Sequence, residues 1–216
     1  MSDDPKRIVE HGYDAIAERY LAWSGDRPSP ARQRALDLLL AALAPAGAEV
    51  LELGCGAGIP MTAALAEHHR VTGVDISARQ IALATRNVPA ATFQHADMAA
   101  IDFPGESFDA VVAFYALTHL PRSEQGPLLK RVARWLRPGG HFFATMGVHA
   151  DPGTVEDDWL GAPMYFSHHD AATNRRLVKK AGLTVERAEI ESEDEDGQPV
   201  AFLWVMARKP VPPGRI

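Results

Sequence analysis

Residues 50–60 read VLELGCGAGIP, an apolar stretch that runs into glycines at 54, 56 and 58 and then into a proline. Spaced glycines raise the entropy cost of folding, so a fold keeps them where the backbone needs positive φ or must approach something closely. The pattern asks for a strand, a bare-backbone loop and a helix in succession. The following chain keeps alternating. Residues 49–53 predict a buried strand, 60–68 a helix and VTGVD at 71–75 a second strand, and SARQ at 77–80 reads as a capping box opening a second helix. A short strand near 92–95, the apolar strand FDAVVAFYA at 108–116, a helix over roughly 123–136, the turn RPGG and the strand HFFATM at 141–146 complete the series. Strands that alternate with helices imply an α/β fold with a mostly parallel sheet and helices on both faces.

The flanks differ. Val9, Tyr13, Ile16, Tyr20 and Trp23 recur at spacings of 4, 3, 4 and 3, which is one face of a helix. SGDRPSP breaks it, and Ser29 with Pro30 reads as the cap of a second helix whose apolar face is Leu36, Leu39, Leu40 and Leu43. At the other end, Ser167 and Asp170 read as a capping box for a helix that ends at Gly182. LTVERAEIE and VAFLWVMAR then read as strands joined by the polar link SEDEDGQP, so the last strand should run antiparallel to its neighbour. The stretch 147–166 reads as a long irregular loop, and its Trp159, Leu160, Met164, Tyr165 and Phe166 point to an ordered lid. The expectation is one domain over 1–216, with helices in 1–46 covering the site and a lid insertion at 147–166.

A phosphate-binding loop of the GxxxxGK[ST] type needs a lysine that this loop lacks. A dinucleotide loop of the GxGxxG type fails at Ile59, where the third glycine belongs, but one-position variants keep that reading open. LELGCGAG at 51–58 resembles the first motif of the class I S-adenosylmethionine-dependent methyltransferases, small-molecule and quinone-type members in particular. GVDIS at 73–77, HADM at 95–98, FDAVVAFYALTHL and LRPGGHFFATM are similar to later segments of that family, in the same order, and YDAIAERY is similar to its N-terminal helix. The resemblance implies a Rossmann-like three-layer sandwich whose seven-stranded sheet is mostly parallel with an antiparallel last strand.

It also implies a cofactor, S-adenosyl-L-methionine, leaving as S-adenosyl-L-homocysteine. The expected binding residues are Tyr20, Glu52, Gly54, Cys55, Gly56, Gly58, Asp75, Ile76, Gln80, Asp97, Met98 and Phe114. Asp75 would accept from the ribose hydroxyls and Asp97 from the adenine amino group, with Met98 packing on the ring. Backbone N–H groups at 54–58 would face the carboxylate, and Glu52 would serve the amine or hold the loop.

Methyl transfer needs a nucleophile held in line and water kept out, with a base where the nucleophile must lose a proton. His119 in YALTHL is the first candidate base, the rival being a histidine that only shapes the pocket; His168 is a weaker one. Tyr13, Tyr115, His119, Trp159, Tyr165 and His169 are candidate acceptor-binding residues. No metal is expected: the histidines have no convincingly spaced acidic ligand, and Cys55 is the only cysteine. The absence of a [DN]PP[YFW] segment after the fourth strand, where FYAL stands, and of a Pro-Cys nucleophile argues against base or glutamine methylation.

The net charge of −6 gives no reason to expect a nucleic-acid partner, and Lys130, Arg131, Arg134 and Arg137 read as the wet side of a helix. The polar opening MSDDPKRIVEHGYD is unlike a secretory signal and no apolar run is long enough to span a bilayer, so a cytoplasmic location, no membrane partner and a monomer or homodimer are expected. The reading is a methyltransferase for a small acceptor, methylated at O, N, S or C, with natural-product or quinone-like phenols favoured. An NAD(P)-dependent oxidoreductase and a non-catalytic S-adenosylmethionine-binding protein are the alternatives.

Overall fold

The computed structural model describes residues 4–25, 29–195 and 197–213. The helices are α1 (Pro5–Gly25), α2 (Pro30–Ala42), α3 (Met61–Ala66), α4 (Ala78–Asn87), α5 (Arg122–Trp135) and α6 (Ala171–Lys180). The strands are β1 (Glu49–Leu53), β2 (Arg70–Asp75), β3 (Thr92–His95), β4 (Phe108–Ala113), β5 (Leu136–Met146), β6 (Asp151–Trp159), β7 (Ala162–His168), β8 (Thr184–Glu195) and β9 (Gln198–Arg208). Seven strands form one sheet in the order β3-β2-β1-β4-β5-β9-β8, and β6 and β7 form a separate antiparallel pair. Pairing is parallel from β3 to β5, and β9 runs antiparallel to both β5 and β8, so the expected architecture holds.

Successive strand residues point to opposite faces, and the core divides accordingly. Val111 and Ala113 of β4 and Phe142 and Ala144 of β5 join Leu128, Leu129 and Trp135 of α5 and Val178 of α6. Ala110, Val112, Phe114 and Phe143 turn the other way, against Leu36 and Leu39 of α2 and Met61 and Leu65 of α3. Phe142 is fully buried, and its truncation to alanine would cost about 3–5 kcal/mol. Ser29 caps α2 as expected, its hydroxyl accepting from Arg32 N at 3.0 Å.

Four local expectations are corrected. Residues 147–166 are not irregular: most of them form the β6–β7 hairpin, which packs Ala162, Met164 and Tyr165 against Val9 and Ile16 of α1. The cap of α6 is Asp170, which accepts from Thr173 N at 2.8 Å, while Ser167 is buried in β7. SEDEDGQP is mostly strand: β8 and β9 stay paired to Glu195 and Gln198, and Asp196 lies outside the described residues, as do positions 26–28 of SGDRPSP. RPGG lies within β5, where the pairing to β4 jumps from Phe108–Leu136 to Ala110–His141, so these residues bulge out of register around Gly139 at φ 83°. The expected basic face is largely occupied: Arg131 donates to the Ala99 carbonyl at 2.6 Å, and Arg134 and Arg137 pair with Asp102 and Asp109. Among the described residues no helix is long and apolar enough to cross a membrane.

Candidate active site

The glycine loop leaves the carboxyl end of β1, at the sheet edge where open α/β sheets bind ligands. Gly54 N and Cys55 N donate to Val74 O at 2.7 and 3.1 Å, which ties the loop to β2. The three glycines have different reasons to be there. Gly54 (φ 71°) lies so close to Ala116 that an added Cβ would sit 2.4 Å from Ala116 Cβ. Gly58 (φ 78°) backs onto Ala84 of α4 and Val88 just past its end. Gly56 (φ 52°) is the least crowded of the three, an added Cβ meeting only Gln80 Oε1 at 3.9 Å.

The surroundings of Gly56 are polar. Asp75 ends β2 buried, with Oδ2 accepting from Gly56 N at 2.8 Å and Oδ1 from Ser77 N at 2.9 Å. Burial raises its pKa against the pull of those two bonds. Gln80 is fully buried, and neither side-chain amide atom has a hydrogen-bond partner. A buried unsatisfied amide costs about 1–3 kcal/mol, so its place beside Gly56 points to a polar ligand. It also means that SARQ is only half a capping box: Ser77 Oγ accepts from Gln80 N at 3.0 Å, but the glutamine does not reach back. Glu52 is buried on the loop's other side, accepts from Thr62 Oγ1, and is pushed up to about 8 by burial, then by the nearby Asp75. Cys55 turns its sulfur to Gly73, and the loop's N–H groups are turned inward rather than toward a ligand carboxylate as expected: Gly54 and Cys55 donate to Val74 O, Gly56 to Asp75 and Gly58 to the Cys55 carbonyl.

Helix α1 lies across this edge. Ala17 packs on Ala57 and Leu83, Asp14 Oδ1 accepts from Ser77 Oγ at 2.6 Å and Arg79 N at 3.0 Å, and Lys6 Nζ donates to Asp97 Oδ2 at 2.7 Å. The other oxygen of Asp97 accepts from Ala99 N at 2.7 Å. Ile76 packs into the α1–β7 cluster, and Met98 sits beside Gly54 at the rim of the core.

Beyond α1 and the loop opens a chamber of about 840 Å³. One side is the aromatic stripe of α1, Tyr13, Tyr20 and Trp23, meeting Trp159 and Phe166 of the β6–β7 hairpin. Ring centroids within this group lie 5.2–6.1 Å apart. The opposite side is the tip of the β8–β9 hairpin, and Tyr115 closes the gap. Tyr115 sits at φ 56°, a left-handed conformation that costs a bulky residue about 1–2 kcal/mol. Its hydroxyl donates to Glu193 Oε2 at 2.6 Å, and burial, ahead of that carboxylate, holds its pKa well above the usual phenol range.

His119 is buried at the chamber wall, 8% exposed. Its Nδ1 lies 2.9 Å from the Tyr165 carbonyl, which can only accept, so Nδ1 carries the proton. Nε2 is therefore the lone pair, and it accepts from Tyr13 O–H at 2.9 Å. Burial lowers the imidazole to about 4, with the Tyr165 bond opposing. Tyr13 is raised well above its ordinary range by burial, then by nearby Tyr20 and Asp75, and Tyr20 is pushed up to about 12, mainly by burial.

The structure thus gathers Gly56, Asp75 and Gln80, with Ile76 packed against α1 and β7 instead, and Tyr13, Tyr115, His119, Trp159 and His168 around the chamber. Tyr20 stands in the chamber's aromatic group rather than with Gly56 and Asp75. His168 lines the wall, its Nδ1 donating to the His149 carbonyl. Three more residues sit elsewhere. Phe114 shares the face of Val112 and packs on Trp204 beneath α2. Tyr165 turns its ring toward Gly153 and α1, so that Phe166 lines the chamber in its place. His169 donates weakly to the Arg122 carbonyl at 3.4 Å, outside the lining. Lys6, Asp14, Ser29, Arg32 and Glu193 were not expected at the site. Their only sequence signals are position in the first helices and the acidic run before Gly197. Among the described residues no group of three or more His, Cys, Asp or Glu side chains is placed to hold a metal.

A family model described as "Methyltransferase domain" matches residues 50–140. The chain is 31% identical over 156 residues to a phosphatidylethanolamine N-methyltransferase of Cereibacter sphaeroides, covering 66% of this chain and 72% of that protein. It is 32% identical over 163 residues to the 27-O-demethylrifamycin SV methyltransferase of Amycolatopsis mediterranei, covering 68% of this chain and 58% of that one. Among solved structures it is similar to the 1,6-didemethyltoxoflavin-N1-methyltransferase of Burkholderia thailandensis, determined with 1,6-didemethyltoxoflavin and S-adenosylhomocysteine, at a TM-score of 0.71 and 21% identity, covering 94% of this chain and 88% of that one. The chain spans about half the length of several curated relatives that it matches.

Proposed function

Because the chain belongs to the class I S-adenosylmethionine-dependent methyltransferase family, we propose that it transfers a methyl group from S-adenosylmethionine to a small molecule bound in the aromatic chamber. The residues of the glycine loop fit that cofactor. Gly56 has no side chain to crowd a ligand and its N–H orients Asp75, Asp75 has lone pairs left for ribose hydroxyls, and Gln80 holds a buried amide that lacks any partner. The cofactor supplies an already activated methyl on a sulfonium; the chain's share is to bind, orient and dehydrate.

The observation that carries the reading is the position of the Tyr13–His119 pair. Ala116 packs on Gly54, and three residues further on His119 reaches the chamber with its unprotonated nitrogen held by Tyr13. An imidazole at about 4 cannot ionise a phenol near 10 in advance, since six pKa units are about 8 kcal/mol. It can take the proton late, once the oxygen has begun to bond to carbon and has become strongly acidic. Tyr13 O–H fills the Nε2 lone pair, so that proton passes through the tyrosine hydroxyl or displaces it. The aromatic walls favour phenolic, quinone-like acceptors, and the chamber's size suits a compact metabolite.

Incubation with methyl-labelled S-adenosylmethionine and a panel of phenols, amines and thiols tests this. Label should enter at least one small acceptor, and His119→Ala should lower the rate much more for a weakly acidic phenol than for a nitrophenol ionised at pH 7. S-adenosylhomocysteine binding with no transfer to any acceptor would reduce the protein to a cofactor binder.

A further inference from the structure

We infer that the acceptor carries a protonated amine distant from its reacting hydroxyl, and that the chamber selects cationic molecules over anionic ones. This deepens the methyltransferase reading and rests on it.

The chamber has a floor and a rim of different chemistry. The floor, at Tyr13 and His119, is buried and uncharged. The rim is formed by β6 and the tip of the β8–β9 hairpin, and its charged side chains are nearly all acidic. Asp151, Glu156, Asp158, Glu193, Asp194 and Glu195 line it, against Arg32 as the one lysine or arginine among the described lining residues. Several of these charges are engaged. Glu193 accepts from Tyr115 and Ser29, Asp151 from Gly153 N, and Arg32, Asp194 and Glu195 have contacts of their own. Glu156 and Asp158 differ: they are exposed, and their carboxylates have no hydrogen bond or ion pair among the described residues. Both stand on the strand that ends in Trp159.

The aromatic group is a second and independent feature. Trp23, Trp159 and Tyr20 wall the cavity between floor and rim, and their negative ring faces attract a cation. The field of Glu195 reaches this group, since after burial and Asp75 its charge helps to raise both Tyr13 and Tyr20, while at Tyr20 Arg32 pulls the other way and only partly offsets the carboxylates that line the rim. An ammonium entering here meets ring faces and unpaired carboxylates. A carboxylate entering here meets the same field with the opposite sign and no free guanidinium. Discrimination therefore comes from repulsion as well as attraction.

The test is equilibrium binding in saturating S-adenosylhomocysteine, read by tryptophan fluorescence. The probes are three phenols that differ only in the charge of the arm: tyramine, N-acetyltyramine and 3-(4-hydroxyphenyl)propionate. Tyramine should bind about tenfold more tightly than the neutral amide, from a cation–π contact and screened ion pairs together worth about 1.4 kcal/mol. The carboxylate should bind most weakly, and salt should narrow the spread. Glu156→Gln with Asp158→Asn, both at exposed positions, should cut the preference to the share the rings supply, about threefold, without altering S-adenosylhomocysteine affinity. Equal affinities, tightest binding of the carboxylate, no binding of any phenol, or a preference undiminished by the double substitution each overturns the inference. Failure of S-adenosylhomocysteine itself to bind, measured separately by calorimetry, overturns the methyltransferase reading instead.

Discussion

Replacing His119 by asparagine while varying pH isolates a strongly perturbed group at the chamber wall. Asparagine can keep a donor for the Tyr165 carbonyl but has no titrating nitrogen and cannot reach Tyr13. The magnitude follows from the imidazole's displacement from 6.5 to about 4. Between those values the unfolded chain binds a proton on His119 that the folded protein refuses, so stability rises with pH across the window. The stabilisation is complete above pH 6.5 and is lost as pH falls to 4. At 1.36 kcal/mol per unit the loss is about 3 kcal/mol. At pH 7 the variant should be less stable by about 1–3 kcal/mol, because the Tyr13 hydroxyl loses its acceptor. Urea unfolding of both proteins at intervals from pH 7.5 to 4 measures the difference, and all other titrating groups cancel in it. The two stability curves should converge toward acid, with wild type losing about 3 kcal/mol more than the variant. Parallel curves would mean that His119 protonates in the folded state as easily as in water, and that the buried, neutral imidazole described here is wrong.

Three further outcomes are expected. Asp75→Ala should weaken S-adenosylhomocysteine binding by roughly 1.5–3 kcal/mol in calorimetry, for lost charge-assisted hydrogen bonds; unchanged affinity in a folded variant removes Asp75 from the site. Gly54→Ala, which puts a methyl 2.4 Å from Ala116 Cβ at φ 71°, should cost about 2–5 kcal/mol of stability. Gly56→Ala has only its φ of 52° to overcome and should cost about 1–2 kcal/mol, so equal denaturation midpoints would refute the separate roles given to these glycines. Amides of the β6–β7 hairpin should exchange more slowly once cofactor and acceptor are bound, as closing elements do; equal protection with and without ligands would make the hairpin a fixed wall.

Much of the fold was legible because its signals are local. Buried parallel strands are apolar throughout, and the turn into α4 is announced by Ser77 two residues after Asp75. The same locality explains the errors. DPGTVEDDW contains a proline, a glycine and four acidic residues, and it is exposed over most of its length, so no alternation marks it as β6. Its strand character comes from pairing with β7, which is itself held by the face of α1, distant in sequence. The SEDE run looked like a turn because it is charged; at a sheet edge such charges deter pairing with other chains and are compatible with a strand. Phe114 was placed with the cofactor on resemblance alone, although its parity with Val112 puts it on the α2 face. Lys6 and Asp97 are 91 residues apart, and nothing near either announces their bond. The chamber's aromatic side was legible as the 4-3-4-3 stripe, whereas its acidic rim depends on how far the β8–β9 hairpin extends. The dinucleotide alternative, open on the glycines alone, is closed by the family to which the chain belongs.

A crystal structure of the complex with S-adenosylhomocysteine tests the central claim most directly. The account predicts ribose hydroxyls on Asp75, polar ligand atoms within hydrogen-bonding distance of the Gln80 amide, and the sulfur facing the chamber on the side of Tyr13 and His119. A ligand bound away from the glycine loop, or a sulfur walled off from the chamber by α1, would contradict it.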